Sequence, residues 1–180
     1  MTRSATTISE TPIFLIGFMT SGKSTVGRLV AGRLGWDFRD LDQVVTAAAG
    51  MSVAQIFAAE GEAGFRRREA DALAAAAAWR RTVVATGGGA ACDENNLRRL
   101  LDAGRVVTLG VSPAEVVRRA QGGAERPLLG AGGGDPLRAA TALLRARAGF
   151  YARAHHQVET DGRSIDAVAQ EVLRVLGAWS

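Results

Sequence analysis

The sequence predicts an α/β protein in which a parallel sheet is covered by helices on both faces. Short apolar runs typical of buried strands alternate along the chain with segments of helical periodicity. A phosphate-binding loop stands between the first strand and the first helix. In 180 residues, 47% hydrophobic and 22% charged content is ordinary for a globular protein that can bury a core. We therefore expect one domain over residues 11–180, after a flexible tail over residues 1–10.

Five strands are expected, each a short apolar run bounded by turn residues. They are residues 12–16, 36–39, 82–86, 105–109 and 157–160. Strand connections that contain helices favour parallel pairing. Because ligands of open α/β sheets bind beyond the carboxyl ends of the strands, the residues that follow these runs are the candidates for a site.

The helices are marked by their start and stop signals. Ser52 and Gln55 form a capping box, and residues 112–115 combine a cap, an N1 proline and an N3 glutamate. Gly35 and Gly61 are expected to end helices. The predicted helices cover residues 23–34, 43–49, 52–61, 62–79, 95–101, 112–120, 135–154 and 165–179.

Residues 17–25 read G-F-M-T-S-G-K-S-T, which fits the phosphate-binding loop. Its glycines let successive N–H groups converge on phosphate oxygens, and the following helix adds the positive end of its dipole. Lys23 is expected to reach the β- and γ-phosphates, and the Ser24 hydroxyl to hold Mg²⁺. The alternative is a glycine turn with an incidental lysine, but Lys23 is the only lysine in the chain. The predicted ATP-binding residues of the loop are Thr20, Ser21, Gly22, Lys23, Ser24 and Thr25.

Composition disfavours several other functions. The net charge of +4 is spread over scattered arginines, and 6% of residues are aromatic, so an anionic small substrate explains the charge better than nucleic acid does. No apolar stretch is long enough to span a membrane, and the first ten residues lack the apolar run of a signal peptide. The single cysteine, Cys92, excludes an internal disulfide and is expected to be a small buried residue. His155 and His156 are expected on the surface. These features predict a cytoplasmic protein.

Two acids after the second strand point to a small-molecule kinase. The later strands do not end in the metal-binding aspartate of motor ATPases, and the single lysine leaves none for the base-reading motif of regulatory GTPases. Asp40 and Asp42 alternate along a segment expected to be extended, so one is expected to face a metal and the other an acceptor. The alternative for the pair is a solvated turn or a helix cap.

Arg66 is the member of the 66–68 arginine run that we expect to contact a ligand. It lies three residues before Glu69 and seven before Leu73, so it borders the inward face of its helix, where Glu69 is placed to orient it. A guanidinium there suits an acceptor with a carboxylate, because it can grip both oxygens. Arg67 and Arg68 are expected on a solvated basic face.

Two glycine-bearing segments complete the candidate site. Residues 87–89 are three consecutive glycines at the end of a strand, which favours close approach of the backbone to a ligand over a plain turn. Residues 119–134 include Arg119, Gly122, Gly123 and Arg126, and are typical of a lid that closes over ATP and brings an arginine to the developing charge. The alternative is a disordered loop with incidental arginines.

In this order and spacing, the motifs resemble the shikimate kinase family. They are G-F-M-T-S-G-K-S-T at 17–25, D-L-D at 40–42, G-E-A-G-F-R-R-R-E at 61–69, A-T-G-G-G-A at 85–90, R-P-L-L at 126–129 and R-A-G-F-Y at 147–151. The phosphate loop is common to many enzymes, whereas the ordered set F-R-x-x-E, G-G-G and R-P-L-L is far more specific. The chain departs from the family in a very glycine-rich stretch at 130–135 and in a loose match around Arg163.

The resemblance implies transfer of phosphate from ATP to shikimate, giving ADP and shikimate 3-phosphate on the route to chorismate and the aromatic amino acids. It also implies a fold like that of nucleoside monophosphate kinases, with a five-stranded parallel sheet, a substrate-binding helical segment at about 40–70 and a lid. On the nucleotide side, it implies that Lys23 and Arg126 bind the phosphates and that Ser24 and Asp40 form the Mg²⁺ site. The adenine side would include Arg119 and Arg163.

On the acceptor side, the resemblance implies that Asp42 contacts the ring hydroxyls and acts as the base. Arg66 and Arg147 would clamp the shikimate carboxylate, helped by the N–H groups of Gly88 and Gly89. The catalytic residues would then be Lys23, Asp42 and Arg126. The enzyme is expected to be a monomer that binds ATP and shikimate, with no nucleic-acid or membrane partner.

Two alternatives stay open at this point. The first is a kinase of another small acid or polyol, such as gluconate, in which the same arginines and acids serve a different acceptor. The second is a ligand-sensing domain of a regulator, a class that usually carries a DNA-binding module. The ten-residue tail leaves no room for such a module, and Lys23, Asp42 and Arg126 favour an enzyme.

Overall fold

The computed structural model describes residues 9–121 and 135–177, and within them five strands form one parallel sheet. The strands are β1 (Ile13–Ile16), β2 (Asp37–Asp40), β3 (Thr82–Ala85), β4 (Arg105–Gly110) and β5 (His156–Glu159). Their order across the sheet is β2-β3-β1-β4-β5. Ile13 pairs with Val83 of β3 on one side and with Arg105 of β4 on the other, so β1 lies at the centre. The loop that follows β1 therefore opens at the middle of the sheet edge.

Seven α-helices and one 3₁₀ helix accompany these strands in the part of the chain that the structure describes. They are α1 (Lys23–Leu34), α2 (Leu41–Ala49), α3 (Val53–Ala76), the 3₁₀ helix (Ala90–Cys92), α4 (Glu94–Ala103), α5 (Pro113–Gln121), α6 (Pro136–Tyr151) and α7 (Ile165–Val175). Within the described ranges, no single helix is long and apolar enough to cross a membrane. Only α2 and α3 counted together are long and apolar enough, and they are bent by 91° relative to each other.

The sheet is buried on both faces, as its continuous apolar strands predict. All four residues of β1 are fully buried, and they alternate between two cores. Phe14 and Ile16 pack in the core beneath α2, α3, α4 and α6, whereas Ile13 and Leu15 pack in the core beneath α1 and α7. Burial of each such side chain contributes about 1.5–3 kcal/mol. This double burial holds β1, and with it the phosphate loop, rigidly in place.

Asp42 lies in the first turn of α2, so the prediction that Asp40 and Asp42 share an extended segment is wrong. Asp40 ends β2 and caps the helix, since its Oδ1 accepts the N–H of Asp42 at 3.1 Å. This cap and the fully buried side chain of Leu41 start the helix at residue 41 rather than at residue 43. The helix cap is the alternative that the sequence left open for this pair.

α3 contains a break at Gly61, where φ is 68° and ψ is −175°. The predicted helix stop is therefore correct, but the helix resumes at once, and it ends at Ala76 rather than at residue 79. Arg68 closes the break with hydrogen bonds to Glu60, the two shortest of which join its Nε to Oε2 at 2.9 Å and its Nη2 to Oε1 at 2.7 Å. The expectation that Arg68 sits on a merely solvated face is wrong.

Other features agree only in part with the sequence. α6 stops at Tyr151, whose carbonyl accepts the hydroxyl of Thr108 at 2.7 Å. His155 is exposed, as expected, but its Nδ1 accepts the N–H of Val106 at 3.0 Å and so joins β4 to the segment before β5. Cys92 is half-buried at the end of the 3₁₀ helix rather than fully buried.

Candidate active site

The loop after β1 is shaped to surround a phosphate group. At Gly17, φ is +136°, and a Cβ would lie 2.5 Å from the carbonyl oxygen of Leu109, so a side chain has no room. Lys23 is 9% exposed, and its Nζ donates to the carbonyls of Gly17 at 2.9 Å and Phe18 at 2.7 Å. The ammonium group is thus held at the loop, beside the N-terminus of α1.

Ser24 and Asp40 bring two oxygen ligands together at the start of α1 and the end of β2. The Ser24 hydroxyl donates to Oδ2 of Asp40 at 2.6 Å. Hydroxyl and carboxylate oxygens are the ligands that Mg²⁺ prefers, and in kinases the ion is held by one or two of them together with water and substrate phosphates. The donor chemistry of this pair therefore fits Mg²⁺.

A cleft of about 580 Å³ opens at the carboxyl ends of β1, β2 and β3. Most predicted nucleotide residues and one predicted acceptor aspartate line it. The lining residues are Met19, Thr20, Gly22, Lys23, Ser24, Thr25, Asp40, Asp42, Gln43, Thr86, Gly87, Gly88, Arg119 and Ala120. The cleft thus joins the phosphate loop to Asp42, which is the arrangement that phosphoryl transfer between two bound substrates requires.

Asp42 shares its surroundings with a second carboxylate. A Cβ at Gly87 would lie 3.1 Å from Oδ1 of Asp42 and 2.5 Å from Oε1 of Glu69, so both carboxylates flank this glycine. Glu69 is 1% exposed, and its Oε1 has no hydrogen-bond partner among the described residues. Burial raises the pKa of Glu69, an effect that Arg66 opposes and Asp42 reinforces.

Arg66 is oriented by Glu69, as its spacing predicted. Its Nη1 lies 2.7 Å from Oε2 of Glu69, and its Nη2 lies 3.5 Å from Glu62. The guanidinium reaches the triglycine loop, because a Cβ at Gly89 would lie 2.9 Å from Nη2 of Arg66. Arg66 therefore stands beside the backbone that was predicted to bind the same carboxylate.

Arg147, on α6, also reaches the triglycine loop. Its Nη1 donates to the carbonyl of Gly88 at 3.2 Å, and its guanidinium lies over the ring of Phe18, 5.4 Å from the centroid. Arg66, Gly89 and Arg147 line a second cavity, of about 460 Å³. The predicted acceptor residues thus divide between two cavities that meet at the consecutive residues Gly88 and Gly89.

Arg119 connects the phosphate loop to the end of β5. It donates to the carbonyl of Thr20 at 3.0 Å and to Oγ1 and the carbonyl of Thr160, each at 3.1 Å. Its Nε lies 2.6 Å from Glu115, whose pKa is lowered to about 2 by hydrogen bonds from Arg118 and then Arg119. The carboxylate partner of Arg119 is therefore charged at neutral pH.

A third cavity, of about 350 Å³, extends the cleft towards β5. The predicted residues Ser21, Arg119 and Arg163 are among its lining residues, together with Thr25 and Ile165. Arg163 donates to the carbonyls of Glu159 and Ala167, so it braces the loop between β5 and α7. The predicted residue Arg126 and the lid residues from 122 onwards lie outside the described residues.

Tyr151 is a site residue to which the sequence assigned no role. Its hydroxyl donates to the carbonyl of Gly88 at 2.6 Å. The signal was present, because Tyr151 is the only tyrosine of the chain and lies one helical turn after Arg147. Thr160 was missed because its part in the site depends on Arg119, 41 residues away in the sequence.

Comparison with known sequences identifies one family. The family model described as shikimate kinase matches residues 19–177. The shikimate kinase of Symbiobacterium thermophilum is 49% identical over 167 residues, which cover 91% of this chain and 95% of that protein. The shikimate kinase of Moorella thermoacetica is 47% identical over 167 residues, covering 93% of this chain and 95% of the relative.

Solved structures agree with the sequences. Shikimate kinase from Acinetobacter baumannii, in complex with shikimate, superposes with a TM-score of 0.87 at 34% identity, and 94% of each chain is covered. A gluconokinase from Sinorhizobium meliloti superposes with a TM-score of 0.60 at 16% identity, covering 94% of this chain and 93% of that one. The second likeness reflects the shared fold alone.

Proposed function

The chain belongs to the shikimate kinase family, and on this premise we propose how its residues divide the work of the reaction. The protein transfers the γ-phosphoryl group of ATP to the 3-hydroxyl of shikimate, giving shikimate 3-phosphate and ADP, a step in the biosynthesis of chorismate and the aromatic amino acids. The predicted family is confirmed, as is the fold like that of nucleoside monophosphate kinases. The residue roles that follow are proposals.

The phosphates of ATP bind to the loop N–H groups and to Lys23. The support is the position of Nζ, held 2.7–2.9 Å from two loop carbonyls at the N-terminus of α1. The loop set Thr20, Ser21, Gly22, Ser24 and Thr25 surrounds the phosphates, while Arg119 and Arg163 border the cavity for the adenine. Arg126, outside the described residues, remains the proposed lid arginine on the transferred phosphate.

Mg²⁺ is the proposed metal, with Ser24 and Asp40 as its protein-side oxygen donors. The ion would neutralise phosphate charge as the phosphoryl group moves. The support is the 2.6 Å contact between Ser24 Oγ and Asp40 Oδ2, which gathers a hydroxyl and a carboxylate beside the phosphate loop. Asp40 is also fixed by its cap on α2, so its carboxylate direction is set before any ion binds.

Shikimate binds between the cleft and the second cavity. Arg66 and Arg147 clamp its carboxylate with the N–H groups of Gly88 and Gly89, and Asp42 accepts hydrogen bonds from its hydroxyls. One observation carries this proposal: Lys23, Asp42 and Gly88 line the same cleft, while the two arginines meet the triglycine loop at its far side. A ring held there has a carboxylate subsite at one end and the phosphate loop at the other.

Asp42 acts as the base in this proposal, taking the proton of the 3-hydroxyl as that oxygen attacks phosphorus. We further propose a monomer that works in the cytoplasm, with a substrate-binding segment at 40–70 and a lid at 119–134 in one domain. Two features support a cytoplasmic location: the reaction consumes ATP, and the chain contains a single cysteine, which fits a reducing compartment.

The function is tested by ADP release with ATP and Mg²⁺, comparing shikimate with gluconate, nucleoside monophosphates and no acceptor. We expect stimulation by shikimate alone. If gluconate rather than shikimate stimulates ADP release, Arg66 and Arg147 bind the carboxylate of a different acid. If ATP binds but no acceptor stimulates ADP release, the result would favour a ligand-sensing domain.

Changing Asp42 to Asn tests its role. Turnover should fall by about 10²–10⁴-fold, because an amide cannot take the hydroxyl proton, while the KM for ATP stays nearly unchanged. The measurement is steady-state kinetics with each substrate varied. Turnover near the wild-type rate would show that Asp42 is not the base.

A further inference from the structure

The carbonyl of Gly88 is the most heavily bonded backbone group of the triglycine loop. It accepts from the Tyr151 hydroxyl at 2.6 Å and from Arg147 Nη1 at 3.2 Å, and the Cys92 thiol lies 3.9 Å away. A carbonyl oxygen has two lone pairs, so the two short bonds saturate it. The tyrosine bond is the shortest of the three, which makes Tyr151 the main anchor of this peptide.

Fixing this carbonyl also fixes the next N–H group. In a trans peptide the C=O of Gly88 and the N–H of Gly89 belong to one plane and point in opposite directions. No cis peptide bond occurs in the part of the chain that the structure describes. Tyr151 therefore sets the direction of the N–H of Gly89, which faces away from the tyrosine ring.

We propose that Tyr151 is a positioning residue for the acceptor, holding the Gly88–Gly89 peptide so that its N–H group binds the acceptor carboxylate. This inference rests on the proposed function of the triglycine loop. Arg147 bonds the same carbonyl at a longer distance, and the proposed function also assigns it to the acceptor. The Tyr151 hydroxyl has no such second role, so its bond is the one that anchors the peptide whether or not the acceptor is bound.

Tyr151 is built to hold a fixed position. It is 7% exposed, and its own carbonyl accepts the hydroxyl of Thr108 on β4 at 2.7 Å. Burial raises the pKa of the Tyr151 hydroxyl, so the group remains a neutral donor at all working pH values. The ring thus transmits the rigidity of β4 to the triglycine loop.

The same peptide also touches the nucleotide side. A Cβ at Gly88 would lie 3.2 Å from the backbone nitrogen of Met19 in the phosphate loop. The Gly88 peptide is thus packed between the phosphate loop and the arginine clamp. Tyr151, by holding it, maintains the spacing between the two substrates.

The test is Tyr151→Phe, which removes one oxygen and keeps the ring. We expect the KM for shikimate to rise about five- to tenfold, as for the loss of one hydrogen bond to the loop, while the KM for ATP changes less than about twofold. A control is Thr82→Val, which removes a buried hydroxyl bonded to the carbonyl of Arg80 at 2.8 Å, at the amino end of β3. It should lower stability and leave both KM values unchanged.

A second measurement does not depend on the folding of the phenylalanine variant. Because the chain contains one tyrosine, expression with 3-fluorotyrosine alters position 151 alone and keeps the hydroxyl donor. This protein should retain the wild-type KM for shikimate. An unchanged KM for shikimate in Tyr151→Phe, or an equal rise in both KM values, overturns the proposal, whereas absence of shikimate turnover in the wild type would instead overturn the function.

Discussion

At the scale of single residues, Thr20 has a backbone conformation and a buried hydroxyl that both lower the stability of the folded protein. Its φ is +61°, a conformation that β-branched residues rarely adopt, and its buried hydroxyl has no partner among the described residues. Arg119 bonds the carbonyl of Thr20 and so holds the strained turn. The loop motif permits any residue at this position, so the pattern predicted the loop but not the strain within it.

Thr20→Gly is therefore expected to stabilise the protein by about 1 kcal/mol. Relief of left-handed strain and of an orphaned hydroxyl outweighs the extra chain entropy that glycine brings to the unfolded state. The backbone N–H remains, so the KM for ATP should stay within about twofold. Urea unfolding measures the free energy of unfolding, and initial rates at varied ATP concentration measure the KM for ATP.

Arg81→Gly is the matched control for this substitution. Arg81 is the other described non-glycine residue with positive φ, at 47°, but it is exposed and far from the loop. The free energy of unfolding should therefore rise less in Arg81→Gly than in Thr20→Gly. A destabilised Thr20→Gly protein would contradict the strain argument.

Glu69 makes stability depend on pH. Its pKa is raised in the folded protein, chiefly by burial, so the folded state binds more protons than the unfolded state above pH 4.5. The contribution of Glu69 is full below pH 4.5 and is lost as the pH rises through the raised pKa. The free energy of unfolding of the wild type should therefore fall, relative to that of Glu69→Gln, as the pH is raised from 4 to 8.

Glu62→Gln controls for the loss of a charge beside Arg66, since Glu62 contacts the same guanidinium from an exposed position. The measurement is urea unfolding at several pH values. A constant difference between wild type and Glu69→Gln would show that burial of Glu69 does not control its protonation.

At the scale of secondary-structure elements, the bond between Arg68 and Glu60 spans the break in α3. The two short contacts join the turns before and after Gly61, so they set how far Val53–Glu60 can move from the rest of the helix. The capping box at Ser52 stabilises only the first turn. The break is thus a joint that is closed by an ion pair.

Arg68→Gln should loosen that joint. Amide hydrogen exchange in residues 53–60 is expected to accelerate, because this part of α3 is no longer tied to the part that follows Gly61. The KM for shikimate is expected to rise about fivefold, because Arg66 and Glu69, which follow the break, are then held less rigidly. Arg67→Gln, at the exposed neighbour, is the control and should change neither quantity. Equal exchange in both variants would mean that Gly61 alone sets the mobility.

Most elements could be predicted from the sequence because their signals are local. Gly35, the Ser52 capping box and Asp135 all act within a few residues, and each helix boundary they mark was correct. The start of α2 was missed because the segment from Asp40 to Asp42 was expected to be extended, whereas the Asp40 carboxylate caps a helix that begins at Leu41. Thr160 was missed because its contact with Arg119 spans 41 residues of the sequence, whereas Tyr151 was missed although its position one turn after Arg147 was a signal.

At the scale of the whole molecule, the two cores share one sheet. Trp36 packs against the core that contains Ile13 and Leu15, and Trp79 packs against the core that contains Phe14 and Ile16. Since β1 contributes side chains to both cores, the loss of either core would leave one face of this strand uncovered.

In each of two variants that retain only Trp36 or only Trp79, the fluorescence transition should therefore have the same urea midpoint as the circular dichroism transition of that same variant. The fluorescence of each variant reports on one face of the sheet, and circular dichroism reports on the whole chain. A fluorescence midpoint that differs from the circular dichroism midpoint of the same variant would indicate layers that unfold independently.

The solitary lysine has a practical consequence for anyone who handles this enzyme. Apart from the chain terminus, Lys23 is the sole primary amine, and it stands at the phosphate loop. Reductive methylation with labelled formaldehyde would place a single side-chain probe for magnetic resonance in the phosphate loop, where we propose that ATP binds. By the same reasoning, coupling the protein to an amine-reactive resin would either attach it by its terminus or block the site it was meant to display.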